Sequence, residues 1–592
     1  MPWRRERALW SLTIFAVALL LRGLHLWQLQ GSPLLEVLLG DARSYDAWAR
    51  RIAAGDWLGS GVFYQAPLYP YFLAGLYYLI GDNPLSVRAV QSLLGGGACV
   101  LLSLAGRHLF SPTAGVVAGL LLALYAPAVL ADTTLQKSVL DVFLLCLCIW
   151  ILARIIDAPY WVPGACFALG LSFGALSLAR ENALVFLVVL APWLLRPAAG
   201  VSGLRRWIPV ALLTAGAGLV LLPVALRNQF VGGEFHLTTS QLGTNLFIGN
   251  NRVADGTYTP LLQGRGDARY ERDDATAEAE RALGRKLAPG EVSRYYIDRV
   301  LTYIGDEPGN WLWLVARKLV LTFNAVEIMD TEDLYTYARS SLPLRLSTWL
   351  LHFGVLAPLA AVGLWSTRSQ WQRLLPLYLL LGAYAVSIIA FYVFGRYRLP
   401  LAILLVPFAG VGLVRLVGIC RDGGMRLTLR PALALGIVIV FCNWPVVEQD
   451  SMRSVTHYNL GTALYTTDIA AAEAQFREAI RLDEGNVQAR NNLGVILSIR
   501  GDADGARQQF ERALRDYPRY VDARINLAGS LRQSGDQRAA IEHLEIALRL
   551  DPGRADAHRE LGELYAEIGE HELATGQLEL ARSLQQAAES QP

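Results

Sequence analysis

Four clusters of charged residues stand out because each lies beside an apolar run rather than inside a polar tract. The first is Leu39-Gly40-Asp41-Ala42-Arg43-Ser44-Tyr45-Asp46, an acid set just ahead of an amphipathic segment. A carboxylate near a lipid surface, partly stripped of water, is suited to take a proton from a hydroxyl or an amine. Its plainer use is to cap the helix that follows. The second cluster holds Asp132 and Lys137, five apart, where an acid and one of only three lysines could bind an anionic head group or position a substrate. Lys137 could equally just reach for the membrane surface. The third, Arg180-Glu181-Asn182, is a polar turn too short to be left facing lipid, so it points to a shared cavity. The fourth is Phe394-Gly395-Arg396-Tyr397-Arg398-Leu399-Pro400. Guanidinium forks bind phosphate through paired hydrogen bonds, which suits Arg396 and Arg398 to that task, with aromatic-belt anchoring as the alternative.

The elements that must position these residues are membrane spans. Of 592 residues 53% are hydrophobic, and eleven apolar runs are long enough to cross a bilayer as helices: 8–28, 88–108, 114–131, 135–156, 161–179, 182–195, 208–226, 344–365, 373–394, 399–418 and 431–447. The run 182–195 is the shortest and could be re-entrant. Short cytoplasmic loops carry excess arginine and lysine. With the N-terminus inside, Arg4-Arg5-Glu6-Arg7, Arg107-His108, Arg154, Arg196 with Arg205-Arg206, Arg368 with Arg373, and Arg415, Arg421, Arg426 and Arg430 all fall on the cytoplasmic side. All four chemical clusters then fall on the other side, as do two long outer stretches at about 29–87 and 227–343. Net charge is only +2 and the arginines serve topology, so no nucleic-acid partner is expected. Six cysteines sit in or beside apolar runs and the eight histidines do not cluster, so neither a disulfide framework nor a cysteine zinc site is expected.

Beyond about 457 the chain becomes polar and repetitive. Ala472, Ala506, Ala540 and Ala574 recur every 34 residues, as do Ala479, Ala513, Ala547 and Ala581. Leu460-Gly461, Leu493-Gly494, Leu527-Ala528 and Leu561-Gly562 mark the first helix of each unit. This is the tetratricopeptide pattern over four units, which stack into a solenoid whose concave face binds a peptide or protein helix, or merely spaces or dimerises the rest. The expected division is a membrane domain at 1–447, a linker at 448–456 and repeats at 457–592.

Taken together, Asp41, the tract Phe63-Tyr64-Gln65-Ala66-Pro67-Leu68-Tyr69-Pro70, the Asp132/Lys137 turn, Arg180-Glu181-Asn182, Arg227-Asn228 through Gly249-Asn250-Asn251 to Gly256, and Gly395-Arg396-Tyr397-Arg398-Leu399-Pro400 resemble bacterial glycosyltransferase family 39. That family, related to protein O-mannosyltransferases and aminoarabinose transferases, has the membrane fold called GT-C. The resemblance covers about residues 8–420 and implies an all-α protein: a GT-C-like polytopic domain of about 11 spans followed by a tetratricopeptide α-solenoid. It further implies a polyprenyl-phosphate sugar as donor, with Asp41 and Asp132 as the catalytic acids and Arg396, Arg398 and Lys137 at the donor phosphate. Arg180, Glu181, Asn182, Tyr64, Asn250 and Asn251 are then expected around the substrates. Asp41 is followed by Ala42 where mannosyltransferases carry a second acid, which weakens a claim to mannose or to protein as acceptor. The resemblance settles no cofactor. Asp41 and Asp132 could hold a divalent metal, although two acids make a thin ligand set. The reading is an inverting transferase of the bacterial inner membrane, with active site and repeats on the periplasmic side and an acceptor that is protein, lipid or glycan. Its rivals are an oligosaccharide ligase or polymerase using a polyprenyl-diphosphate donor, and a non-catalytic scaffold that recruits partners through its repeats.

Overall fold

The computed structural model describes residues 2–158, 162–196, 203–262, 268–421 and 429–589. Arg426 and Asp267, the latter opening the charged run 267–286, lie outside the described residues. The protein is 80% helical, and among the described residues there is no strand. It divides into two compact units, Met1–Val447 and Glu448–Pro592.

Among the described residues of the first unit, six helices are long and apolar enough to cross a membrane, and two bent helix pairs raise that to eight. Of the remaining runs, those at 161–179, 182–195 and 431–447 fold as apolar helices of 10–17 residues, and Leu68–Ile80, inside the stretch taken as an outer loop, is another. The run 114–131 is broken into Pro112–Leu124 and Ala126–Thr133, bent by 57°. Pro127 accounts for the break: it has no N–H to continue the preceding helix and sits instead in the first turn of a new one, with Tyr125 taking the extended backbone between them. Residues assigned to one side of the bilayer do meet. Arg373 pairs with Asp157 at 2.5 Å and donates to the carbonyls of Leu109 (2.6 Å) and His108 (3.1 Å), joining three of the arginine-bearing turns.

Several charges inside the helix bundle are paired. Arg22 of the Pro2–Leu29 helix meets Asp132 at 2.6 Å with both side chains fully buried. The fit is tight enough that a methyl group on Gly95 would lie 1.9 Å from the Asp132 carboxylate. Arg180 meets Asp141 at 2.6 Å, and Arg398 meets Glu327 at 2.7 Å. Burying an ion without its partner is far costlier than burying the pair, whereas an apolar pair of similar volume is often neutral or better. Asp132→Ala is therefore expected to cost about 3–5 kcal/mol, read as a large fall in thermal midpoint of the detergent-purified protein. The double replacement Arg22→Met with Asp132→Leu should recover most of that loss. A wild-type midpoint for Asp132→Ala would refute this role.

The second unit consists of paired antiparallel helices. Each of the first three pairs begins its second helix with an aspartate 34 residues from the next: Asp468, Asp502 and Asp536 accept from the backbone N–H of Ala471, Gly505 and Ala539 at 2.9–3.1 Å. The Leu-Gly positions let the paired helices approach closely, and a side chain on Gly494 would lie 2.6 Å from the Phe510 ring. The segment 448–456 is not a linker. Gln449–Leu464 is one continuous helix, because the first repeat needs its full length to cover Ile469–Leu482; Ser454 donates to the Ala479 carbonyl at 2.7 Å.

Candidate active site

Asp41 sits in the first turn of the amphipathic helix Gly40–Ala53 and is 8% exposed. It is not a cap: the N-cap position belongs to Leu39, with no side-chain cap bond there. Gly40 makes the approach possible. Its φ is +48°, and a side chain at that position would lie 2.5 Å from Thr331 Oγ1, so only glycine lets the 324–333 loop close over the start of the helix.

The Asp41 carboxylate accepts from Arg396 Nη1 through one oxygen and from Gln65 Nε2 at 3.0 Å through the other. The same Arg396 side chain turns its Nε to Asp330 at 3.0 Å, so a single guanidinium is shared by two carboxylates. Around them is a polar cavity of about 60 Å³ whose wall includes Lys137, Asn245, Tyr258, Glu271 and Tyr397. A second, more apolar cavity of about 110 Å³ shares Asp330, Thr331 and Arg396 with the first, and is lined by Pro127, Leu130 and Leu399 among others. Arg396 therefore stands on the seam between a polar chamber and an apolar one.

The titrating groups differ sharply in environment. Burial alone would push the Asp41 carboxyl up, but Arg396, with help from Lys137 and the Gln65 amide, outweighs it and holds Asp41 below the ordinary aspartate value. For Asp330 burial wins over Arg396, and the nearby Asp41 and Glu271 charges add to it, raising its carboxyl to about 6. Glu332, in the apolar chamber, is raised by burial to about 7 despite accepting from Tyr337 at 2.5 Å. Glu271 is also raised by burial, although Tyr64 and Tyr258 donate to its two oxygens at 2.7 and 2.8 Å.

Of the residues expected from the sequence, Asp41, Arg396 and Lys137 share the polar cavity. Lys137 Nζ is 3.7 Å from Glu181, too far for a direct hydrogen bond. Glu181 itself accepts from Gln241 at 2.7 Å and Thr239 at 3.2 Å, just behind the wall. Arg180 supports the wall from behind, ion-paired to Asp141 with its guanidinium 5.1 Å from the ring of Tyr397. Asn182 donates to Ser387 at 3.1 Å, and Tyr64 acts through Glu271. Four placements, those of Asp132, Arg398, Asn250 and Asn251, differ from expectation. Asp132 does not line the cavity, being committed to Arg22 inside the bundle, so a metal held by Asp41 and Asp132 together has no basis. Arg398 points away as well: it is paired with Glu327 and donates to the carbonyls of Asn324 and Val326. Asn250 and Asn251 hold local backbone. Asn250 donates to the Leu246 and Ala390 carbonyls (both 2.8 Å) and accepts from Lys318 (3.0 Å), and Asn251 donates to the Phe247 carbonyl (2.9 Å). Among the described residues no group of three or more histidine, cysteine, aspartate or glutamate side chains is placed to hold a metal ion.

Sequence reasoning gave Gln65 no role of its own and passed over Tyr258, Glu271 and Asp330. For Asp330 a signal was available: Glu327, Asp330, Glu332 and Asp333 put four acids into seven residues between apolar helices. Glu271 lay hidden in a charged run that reads as a solvated helix.

Residues 64–226 match the family model for dolichyl-phosphate-mannose-protein mannosyltransferases. That stretch of the membrane unit is similar to a family of membrane glycosyltransferases of the GT-C type. The matched region takes in Lys137 and Arg180 but neither Asp41 nor Arg396, so those two rest on the geometry above. The tetratricopeptide-repeat model matches residues 462–521, 497–541 and 525–591, and the second unit is a tetratricopeptide α-solenoid. No curated protein matches the chain. Among solved structures, the chain is similar to a crystal structure of MamA (19% identity over 27% of this chain and 94% of that one, TM-score 0.22). It is also similar to MamA from Desulfovibrio magneticus RS-1 (20% identity, 30% and 96%, TM-score 0.22). YrrB, titled a tetratricopeptide protein with an unusual peptide-binding site, matches at 22% identity over 29% of this chain and 82% of that one, TM-score 0.21.

Proposed function

We propose that this GT-C-type domain transfers a sugar from a polyprenyl-phosphate donor to an acceptor on the periplasmic side of a bacterial inner membrane, inverting the anomeric centre. The observation that carries the reading is Arg396 on the seam of two unlike chambers. A polyprenyl-phosphate sugar has the same order of parts: an apolar chain, an anionic phosphate and a polar sugar. With the first isoprene units against Leu130 and Leu399, the phosphate meets Arg396, and the sugar lies in the polar cavity facing Asp41 and Glu271. The side assignment rests on the arginine-rich turns lying opposite this pocket.

The charge arrangement supports a defined order of events. Before donor arrives, Arg396 depresses the basicity of Asp41. When the donor phosphate takes the guanidinium fork, Asp41 loses its strongest cationic neighbour and its proton affinity rises. Asp41 then accepts the proton of the acceptor hydroxyl or amine as the acceptor's lone pair forms the bond to the anomeric carbon. The bond from that carbon to the phosphate oxygen breaks, its electron pair leaves with the phosphate, and Arg396 and Lys137 stabilise the released charge. A single displacement of this kind inverts the centre.

Mass spectrometry of lipid that co-purifies with the detergent-extracted protein tests the donor class. A polyprenyl monophosphate sugar supports the reading. A diphosphate-linked oligosaccharide would favour a ligase or polymerase, and ordinary phospholipid alone would favour a scaffold.

The repeats are assigned to acceptor choice, because none of the pocket's acids Asp41, Glu271 and Asp330, nor its arginine, comes from them. Deleting 449–592 is expected to leave transfer to a small soluble acceptor within about threefold of the intact chain while reducing modification of the native acceptor tenfold or more, on the general use of such surfaces as binding grooves. Equal loss with both acceptors would instead make the repeats a stabiliser of the membrane unit.

A further inference from the structure

A second cleft, of about 750 Å³, opens between the helices Leu242–Gly249, Ala268–Leu283 and Pro289–Asp306 and the segment 251–261. Its volume falls within the range of about 300–1,000 Å³ usual for small-ligand sites, and nothing in the mechanism above uses it. Three elements join it to the Asp41 cavity. The Leu242–Gly249 helix puts Asn245 into the cavity and Phe247 into the cleft. The connecting segment puts Tyr258 into one and Thr259 into the other. The Ala268–Leu283 helix puts Glu271 into the cavity and Glu278 into the cleft. Seven residues of helix separate the two glutamates, which sets them about 10 Å apart on one face.

The wall chemistry narrows the ligand. Arg299 is held before any ligand arrives: Glu278 pairs with it at 2.5 Å, and its guanidinium lies 4.2 Å from the centre of the Phe247 ring. Glu278 is itself fixed by the Tyr296 hydroxyl at 3.1 Å. Tyr295 and Tyr303 add aromatic faces, and Asp298 a carboxylate. Acids and arginines occur together here and largely cancel, which disfavours a polyanion. Carboxylate, guanidinium and tyrosine groups interrupt the apolar surface of Val253, Pro260, Leu261 and Leu283, which disfavours a purely apolar chain. A saccharide offers what such a wall selects, with hydroxyl groups that both donate and accept toward planar carboxylate and guanidinium groups, and a face of C–H bonds that rests on an aromatic ring. We propose that this cleft binds the saccharide portion of the acceptor and holds it in register with Asp41, so that the enzyme reads its acceptor as a glycan longer than the unit it modifies. The proposal rests on the transferase reading of the Asp41 cavity.

The test uses the full-length protein in detergent and three defined probes, maltohexaose, chitohexaose and hexagalacturonate, each beside its monosaccharide, with binding followed by saturation-transfer NMR and calorimetry. At least one hexasaccharide is expected to bind tenfold or more tightly than its monosaccharide. Arg299→Ala is expected to weaken that binding at least tenfold, and Asp298→Asn, a change at an exposed position that should not disturb folding, at least threefold. Asp41→Asn should leave it unchanged. Binding of none of the three, or binding that survives both cleft variants, overturns the proposal, as does binding lost in Asp41→Asn and retained in Arg299→Ala. Failure of the transferase reading shows separately, as an absence of sugar transfer by the parental protein alongside intact hexasaccharide binding at the cleft.

Discussion

Asp41→Asn is expected to lower sugar transfer by about 10²–10⁴-fold, the usual consequence of removing a general base, while leaving donor binding near the parental level. The substitution keeps size, and the amide can still bond Gln65, so the local fold has little reason to change. What it removes is the proton acceptor. It also removes one of the two anions competing for Arg396, so donor affinity should hold or tighten slightly. Transfer assayed with purified protein and lipid donor checks both halves. A variant that binds donor and transfers sugar at close to the parental rate would make Asp41 a partner of Arg396 and nothing more, and the mechanism would fail.

Arg396→Ala is expected to act on both binding and chemistry. Losing a charge-assisted fork to phosphate should weaken donor affinity about 10–100-fold, and losing stabilisation of the departing phosphate should slow turnover about 10²–10³-fold. The pH profile carries a sharper signature. In the parental protein Arg396 is the main influence holding Asp41 below its ordinary value against burial. Without it, burial raises the carboxyl, so Asp41 stays protonated to higher pH and the acid limb of kcat/KM moves toward alkaline pH. Arg396→Lys keeps the charge but not the fork, so it should restore the pH profile more fully than the donor affinity. An Arg396→Ala enzyme with an unmoved acid limb would separate Arg396 from Asp41.

Much of this architecture is legible in the chain because its signals are local and repeated. The alanines spaced by 34, the Leu-Gly pairs and the capping aspartates of the solenoid each report the same helix pair several times over. The membrane helices are visible because an apolar run of that length has few other uses. Asp41, Lys137 and Arg396 could be picked out because a charge flanked by apolar sequence demands a reason. What was not legible is where such charges point. Arg396 and Arg398 look like a matched pair in a loop, but Gly395–Arg421 is helical from its first residue and continues through Pro400. Two positions along a helix turn through about 200°, so one guanidinium enters the pocket and the other the bundle. Asp132 was misplaced for a related reason. The break at Pro127 redirects the helix that carries it, and the partner that settles its orientation stands 110 residues earlier in the chain. Glu271 joins the pocket only through tertiary folding of a charged run that reads as a solvated helix, and Asp330 does so from an acidic connection whose sequence does not say which of its acids turns inward.

The Arg22–Asp132 pair has a consequence for how the protein is made. Arg22 emerges from the ribosome in the first hydrophobic helix, and its counter-ion follows 110 residues later. At ordinary translation speeds that interval is on the order of ten seconds. During it the guanidinium has no carboxylate to meet and must stay near the head groups, since its four-bond side chain can reach toward water but cannot cheaply sit at depth alone. The first helix therefore cannot take its final depth when it is inserted. It settles only once the bent Ala126–Thr133 segment has been delivered, which ties the final seating of the first helix to completion of the run 114–131.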